Sequence, residues 1–175
     1  MLSTGAVYHV TARTNKKELL LESHLAKNLF LETLARAKAK HCFEIDNFVI
    51  MGNHFHLLIR PTGNSSLAEI LKWTLGVYSM AHHRIYKQWG HLWGSRYFSR
   101  PIGSFGEYLE VYRYIDNNPV AAGLVDLASQ WPWGGLGHDL ARRSDIVTAP
   151  LWWRGVVSSR SVFPLGLPGL GSVPQ

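Results

Sequence analysis

The run from Phe48 to Arg60 is apolar almost throughout, and the residues that most break it, His54 and His56, stand one position apart. A strand sends alternate side chains to the same face, so both imidazoles point one way while Phe55 and Leu57 point the other. Gly52 and Asn53 interrupt the run just before the histidines, and such a pair reverses a hairpin or marks a bulge. The segment reads as two strands, 43–50 and 54–60, the second ended by Pro61. Two polar rings within so apolar a strand are costly unless something binds them. A single histidine would be explained well enough as a hydrogen-bonded core residue. A pair on one face points to a divalent metal, and neutral imidazoles suit Mn, Co, Ni or Zn, or Mg with oxygens completing its shell. Two histidines leave such a site short of a third ligand.

Periodicity elsewhere places this hairpin in a larger pattern. Residues 6–13 alternate and are rich in strand formers, and Thr14 to Lys17 form a basic loop. Leu25, Leu29, Phe30, Thr33, Leu34 and Ala37 recur at helical spacing over 23–40. Ser66 followed by Glu69 is a helix-start signature, and a second long helix is expected over 67–88. Gly90 and Gly94 break the chain, residues 96–100 form a fourth strand, and a third helix opens at Ser104 or Phe105 and ends at Pro119. Beyond Val125 the pattern weakens. The pairs Trp131 with Trp133 and Trp152 with Trp153 read as aromatic staples, and from Ser158 onward Gly, Pro and Ser predict an irregular tail. The order β-α-β-β-α-β-α implies an α+β, ferredoxin-like arrangement: an antiparallel or mixed sheet with helices packed on it. Residues 1–135 form one domain and 136–175 a partly irregular C-terminal extension; no internal repeat is present.

With 46% hydrophobic residues the composition is globular, and a net charge of +6 with a pI near 9.6 favours a polyanionic partner. Charge alone does not separate nucleic acid from an anionic membrane surface. The single cysteine, Cys42, excludes an internal disulfide and a cysteine zinc finger, and is expected to pack as a small hydrophobe. No apolar run approaches the roughly 18–20 residues that span a bilayer, and residues 1–5 lack the features of a signal peptide. The expectation is a soluble protein of the reducing cytoplasm, with no membrane role.

The third helix offers the missing ligand. It carries Tyr108, Tyr112 and Tyr114 and ends in Asn117, Asn118 and Pro119. Tyr114 and Asn118 lie four apart and share a helix face. Packed beside the histidine strand, that face can supply Asn118 as an oxygen ligand and leave Tyr114 over the metal. A phenol with a pKa near 10 is a weak nucleophile, but attack on a metal-polarised phosphate is a known solution. Tyrosines at this spacing also simply pack, and Asn before Pro is a common helix terminator.

Four blocks then match in unbroken order over about residues 5–135: Val7 to Arg13, Met51 to Leu58, Gly90 to Tyr97, and Arg113 to Val125. Together they resemble the HUH-type single-tyrosine transposases, the IS200-like family, and more narrowly the REP-associated tyrosine transposases. The resemblance implies that His54 and His56 bind a divalent metal, Mg or Mn, with Asn118 completing the site. It implies that Tyr114 attacks a DNA phosphodiester, forming a 5′-phosphotyrosine and freeing a 3′-hydroxyl that later reverses the step. The implied partner is single-stranded DNA beside a hairpin, the implied setting the bacterial nucleoid, with a homodimer as one option. Gly52 stands where the family usually has Pro, and Ala121 where it usually has Arg, which bears on a phosphate contact. Asn117 is an alternative ligand if the helix frays at Pro119, and Tyr112 or Tyr108 an alternative nucleophile.

The basic residues Arg13, Lys16, Lys17, Arg60, Arg84, Lys87, Arg96 and Arg100 form the candidate DNA-binding patch, with Tyr8, Trp93, Tyr97 and Phe98 as candidate stacking partners. Many such residues are simply solvated or core, so the patch carries more weight than its members. Two other readings compete: a non-catalytic module that binds DNA or RNA hairpins on the same fold, and a histidine metallohydrolase. The latter lacks the carboxylates of a two-metal site, since the 12 acidic residues include none beside the histidine pair.

Overall fold

The computed structural model describes residues 5–141 and 145–148. Four strands, β1 (Tyr8–Arg13), β2 (Phe43–Ile50), β3 (His54–Pro61) and β4 (Phe98–Pro101), form one sheet in the order β2-β3-β1-β4. Every pair is antiparallel. The helices are α1 (His24–Lys40), α2 (Leu67–Tyr86), α3 (Phe105–Ala121) and the short α4 (Gly135–Leu140). This is the expected ferredoxin-like α+β arrangement, with the sheet wholly antiparallel rather than mixed.

Strand alternation sorts the two faces. Phe55 and Tyr8 belong to the face covered by α1 and α2, where Phe30 lies 4.7 Å from Phe55 and 5.0 Å from Tyr78, centroid to centroid. Trp93 closes this core 5.6 Å from Phe55. His9, His54 and His56 belong to the opposite face, which α3 covers. Side-chain caps start the helices: Ser23 accepts from the Ala26 N–H, Ser66 and Glu69 make the expected reciprocal pair, and Ser104 accepts from the Glu107 N–H.

A bulge in β2 docks α3. Ile45 pairs with Ile59 and Asn47 with Leu58, so Asp46 is the extra residue. The bulge turns two successive polar side chains toward α3. Asp46 accepts from the Tyr108 hydroxyl at 3.2 Å and from Arg60 at 3.1 Å. Asn47, fully buried, donates to the Tyr112 carbonyl at 3.1 Å and to Asp116 at 2.9 Å. A Cβ on Gly135 would fall 2.1 Å from the Asn47 Oδ1, so only glycine lets α4 close over this pair.

The third helix does not stop at Pro119. It runs on to Ala121 and ends where Gly123 takes φ +67°. The Gly123 N–H donates to the Val120 carbonyl at 2.9 Å and the Leu124 N–H to the Pro119 carbonyl at 3.0 Å. This paired closure is the Schellman motif, which favours glycine. A proline in the last turn forfeits a single helical bond, and Pro119 is buried against the fold.

The expectation for Cys42 is also corrected. It is exposed, because it sits in the turn before β2 and Phe43 takes the inward position. Trp131 and Trp133 are buried staples: the Trp131 Nε1 donates to the Ile50 carbonyl, and the Trp133 Nε1 to Asn28. Lys27 lies over both rings, its Nζ 5.6 and 5.0 Å from the Trp131 and Trp133 centroids. Gly134 and Val147 bridge to Val49 and Ile45, so the segment after α3 covers the open edge of β2. Trp152, Trp153 and the residues from Ser158 lie outside the described residues. Among the described residues no helix is long and apolar enough to cross a membrane.

Two outcomes follow from the α3 docking. Asn47→Ala leaves the Tyr112 carbonyl and the half-buried Asp116 without their donor and should cost about 2–3 kcal/mol, or roughly 4–12 °C in Tm by circular dichroism. Burial raises the Asp116 carboxyl to about 6 against the partial offset of its Asn47 hydrogen bond. The folded state therefore holds this proton more tightly than the unfolded chain, and the cost of ionising it appears as pH rises from about 4 through 6. Asp116→Asn should gain about 1–3 kcal/mol over wild type at pH 7.5, and the gain should vanish near pH 4 in urea titrations.

Candidate active site

The pocket between the sheet and α3 is built from β1, β3 and α3. Cross-strand register sets Thr11 opposite His56 and Arg13 opposite His54, so His9, Thr11 and Arg13 share the face of the histidine pair. The His54 and His56 rings lie 5.1 Å apart at 88°. Tyr114 comes down from α3 with its ring edge-on to both histidines of the inner row, 5.2 Å from His56 and 6.1 Å from His9. Asn118, one turn further along α3, hydrogen-bonds to His54. The four residues singled out in sequence, His54, His56, Tyr114 and Asn118, are thus brought to one place.

Exposure separates the three tyrosines. Tyr108 and Tyr112 are buried at 7% and 6%, whereas Tyr114 is 52% exposed, so it is the phenol of this helix that an incoming strand can reach. Because α3 holds its geometry through Pro119, Asn117 stays on the exposed side and Asn118 faces the pocket.

The imidazole environment suits metal binding. Burial drives His56 down to about 3, reinforced by His54, His9 and Arg13; it drives His54 to about 4 with help from Arg13, and His9 to about 4 with help from Arg100. All three rings are neutral at physiological pH, the form that ligates. The His54 Nδ1 is engaged with the Asn53 Oδ1 at 2.8 Å and the His56 Nδ1 with the His9 Nε2 at 2.9 Å. The donors facing the pocket are then the His56 Nε2 and the His54 Nε2 with the Asn118 side chain that meets it, a pair a cation would come between. Among the described residues no group of three or more His, Cys, Asp and Glu is arranged to hold a metal. The set fits an open catalytic position filled out by oxygens of water or substrate, not a closed structural site.

The basic residues are scattered more widely than the sequence suggests. Arg13 is exposed beside His54, and the Asn15–Lys17 turn carrying Lys16 and Lys17 is tied to the histidine hairpin through Asn53, which donates to the Lys17 carbonyl. Lys16 and Lys17 hold φ of 51° and 59°, a left-handed backbone uncommon for lysine. Arg96 is exposed just before β4. Arg100 lies opposite His9 but is ion-paired to Glu107. Arg60 leaves the far end of β3 and pairs with Glu44 and Asp46, so it is not brought to the pocket. Arg84 and Lys87 end α2, on the other face of the sheet. Of the aromatics, Tyr8 is buried and Trp93 packs in the α1–α2 core, while Phe98, 58% exposed, stands beside Thr11 on the pocket face.

Two residues at the site, His9 and Asn53, carry no assigned role in the sequence reading. His9 reads there only as part of a strand. Its signal is legible in principle: a histidine at an alternate position of β1, on the face that antiparallel pairing with β3 turns toward His56.

Against this geometry the family assignment is direct. The family model for IS200-like transposases matches residues 3–118, and the chain belongs to that family. Membership makes it a DNA-processing enzyme of the tyrosine-transposase kind. Among its relatives is the REP-associated tyrosine transposase of Escherichia coli (strain K12), 25% identical over an alignment of 161 residues, with 88% of this chain and 87% of that one covered. Among solved structures it is similar to a REP-associated tyrosine transposase bound to a REP hairpin, with a TM-score of 0.67 and 19% identity over 98% of this chain and 96% of that one. A crystal structure of a protein from Deinococcus radiodurans R1 matches with a TM-score of 0.50 and 21% identity, covering 66% of this chain and 92% of that one.

The three depressed histidines of the pocket act on the acid limit of stability. Each releases its proton more readily folded than unfolded, so its contribution is complete above pH 6.5 and is lost as pH falls toward 4 and 3. His82, also lowered by burial, adds to this, while Asp116 and Asp46, both raised by burial, oppose it over part of the range. The unfolding free energy from urea titrations should fall steadily from pH 7 to pH 5, by at most about 1.4 kcal/mol per pH unit for each histidine. A flat profile would show that the pocket is solvated.

Proposed function

We propose that the chain is a metal-dependent single-strand DNA endonuclease and strand transferase that cleaves and rejoins hairpin-flanked DNA through a 5′-phosphotyrosine. The observation that carries this reading is the single exposed tyrosine of α3, Tyr114, set edge-on to His56 with His54 and Asn118 alongside. His54 and His56, through their Nε2 atoms, and Asn118 would hold Mg or Mn. When bound, such an ion polarises the scissile phosphate and offsets its charge.

The chain's own residues perform the rest. The Tyr114 Oη forms a bond to phosphorus as the bond from phosphorus to the 3′ oxygen breaks, and the phenol proton is balanced by the proton gained at the 3′-hydroxyl. The number of phosphoester bonds is unchanged, so the reverse attack rejoins strands without an external energy source. Holding Tyr114 on a docked helix converts the attack into a positioned, near-unimolecular step. All four residues come from one chain, so a homodimer is not required to assemble the pocket. Arg13, Lys16 and Lys17 flank it and suit the backbone of the strand, and the solved relative bound to a REP hairpin supports a hairpin as the docking element.

Tyr114→Phe should abolish the covalent protein–DNA adduct, scored by gel with a hairpin-flanked single strand and Mn, while leaving hairpin affinity within about threefold. Adduct formation by that variant would reassign the nucleophile, and wild type that binds hairpins yet leaves them uncut with Mg and Mn would favour the binding-only reading. Hairpin affinity should fall steeply with salt, and neutralising Lys16 or Lys17 should reduce the log–log slope by about one unit for each phosphate that the lysine neutralises in wild type.

A further inference from the structure

His9 is not a ligand in the set described above, yet it is the residue on which His56 rests. It is buried at 9% on β1, with its Nε2 2.9 Å from the His56 Nδ1 and the two ring centroids 5.1 Å apart. Its other ring nitrogen, Nδ1, is buried without a hydrogen-bond partner. A buried polar ring with one of its two nitrogens unpartnered costs stability, and the buried apolar Leu58 paired opposite His9 on β3 shows that this face also takes apolar side chains.

An imidazole can ligate through Nε2 only if that nitrogen carries a lone pair, which puts the proton on Nδ1. His56 meets this condition when its Nδ1–H donates to an acceptor. The atom standing at that position is the His9 Nε2. The arrangement parallels His54, whose Nδ1 is held by the Asn53 Oδ1 at 2.8 Å. Outer partners of this kind fix a ligating ring's tautomer and orientation. The alternative, His9 donating to the His56 Nδ1, would leave a proton on the His56 Nε2 and close that nitrogen to a cation.

We propose that His9 is a positioning residue: as hydrogen-bond acceptor for the His56 Nδ1–H, it holds His56 in the tautomer and ring orientation that presents Nε2 to a divalent cation beneath Tyr114. The proposal rests on the metal-site reading of His54 and His56. It assigns His9 no contact with DNA and no proton transfer to the phosphate.

The test uses the full chain with Mn alone, followed by calorimetry, without DNA. His9→Phe keeps a ring of similar volume but removes the acceptor, and should weaken Mn affinity by 10- to 100-fold. His9→Gln restores a carbonyl acceptor and should recover affinity to within about fivefold of wild type. A merely structural role would lower Tm in both variants without this split. Long-range proton–nitrogen spectra of the wild-type protein at pH 7 supply a readout independent of any variant's folding: the His56 proton should reside on Nδ1. A folded His9→Phe with wild-type Mn affinity, equal loss in both variants, or a His56 proton found on Nε2 in the wild-type spectra would overturn the proposal. Wild type that binds no Mn would instead overturn the metal-site reading itself, and Tyr114 adduct formation, measured separately, keeps the two failures apart.

Discussion

The pocket exists because α3 is held against the sheet by two adjacent polar side chains of β2. A regular strand cannot aim Asp46 and Asn47 to the same side; the bulge at this point does. Asn47 then binds both backbone and side chain of α3, and Asp46 takes the Tyr108 hydroxyl. These bonds set the rotation of the helix about its axis. With Tyr108 and Tyr112 turned inward, Tyr114 must emerge at the pocket edge and Asn118 must fall one turn beyond, over His54. Rotation by one residue would bury the exposed phenol and remove the amide from the histidines.

That docking is made of polar groups largely withdrawn from water, which makes it specific and costly at once. A half-buried carboxyl such as Asp116 is tolerated because Asn47 donates to it, and α4 closes over Asn47 through Gly135. The helix it anchors is kept regular through Pro119 by its glycine closure, so the reactive face stays in phase with the sheet to its last turn. The same logic governs the imidazoles. Their rings are held neutral by burial and oriented by neighbours on β1 and in the β2–β3 turn, so the site is organised before any substrate arrives.

Much of this is legible in the residues. Alternation around His54 and His56 defines the strand and the shared face, the four-residue interval from Tyr114 to Asn118 defines the helix face, and Ser66 with Glu69 marks a helix start that the structure contains. Local rules serve less well where a tertiary contact outweighs them. Proline reads as the end of α3, but a buried last turn with a glycine closure outweighs one forfeited hydrogen bond. Cys42 reads as core, but one position of strand phase gives that place to Phe43. Basic residues are the least legible: Arg60 and Arg100 are taken up by Asp46, Glu44 and Glu107, partners that lie on other elements of the fold.

By itself the sequence determined which residues alternate, which recur at helical spacing, and therefore which side chains travel together on one face, because these periodicities are local properties of the backbone. Only the tertiary structure decided which faces meet. His9 reaches His56 across 47 residues through antiparallel register, and Tyr114 reaches His56 through a bulge in a third element. Neither distance is encoded in any local pattern. Each follows from the requirement that a sheet with apolar residues on both faces be covered on both, and that the polar groups caught beneath the cover find one another.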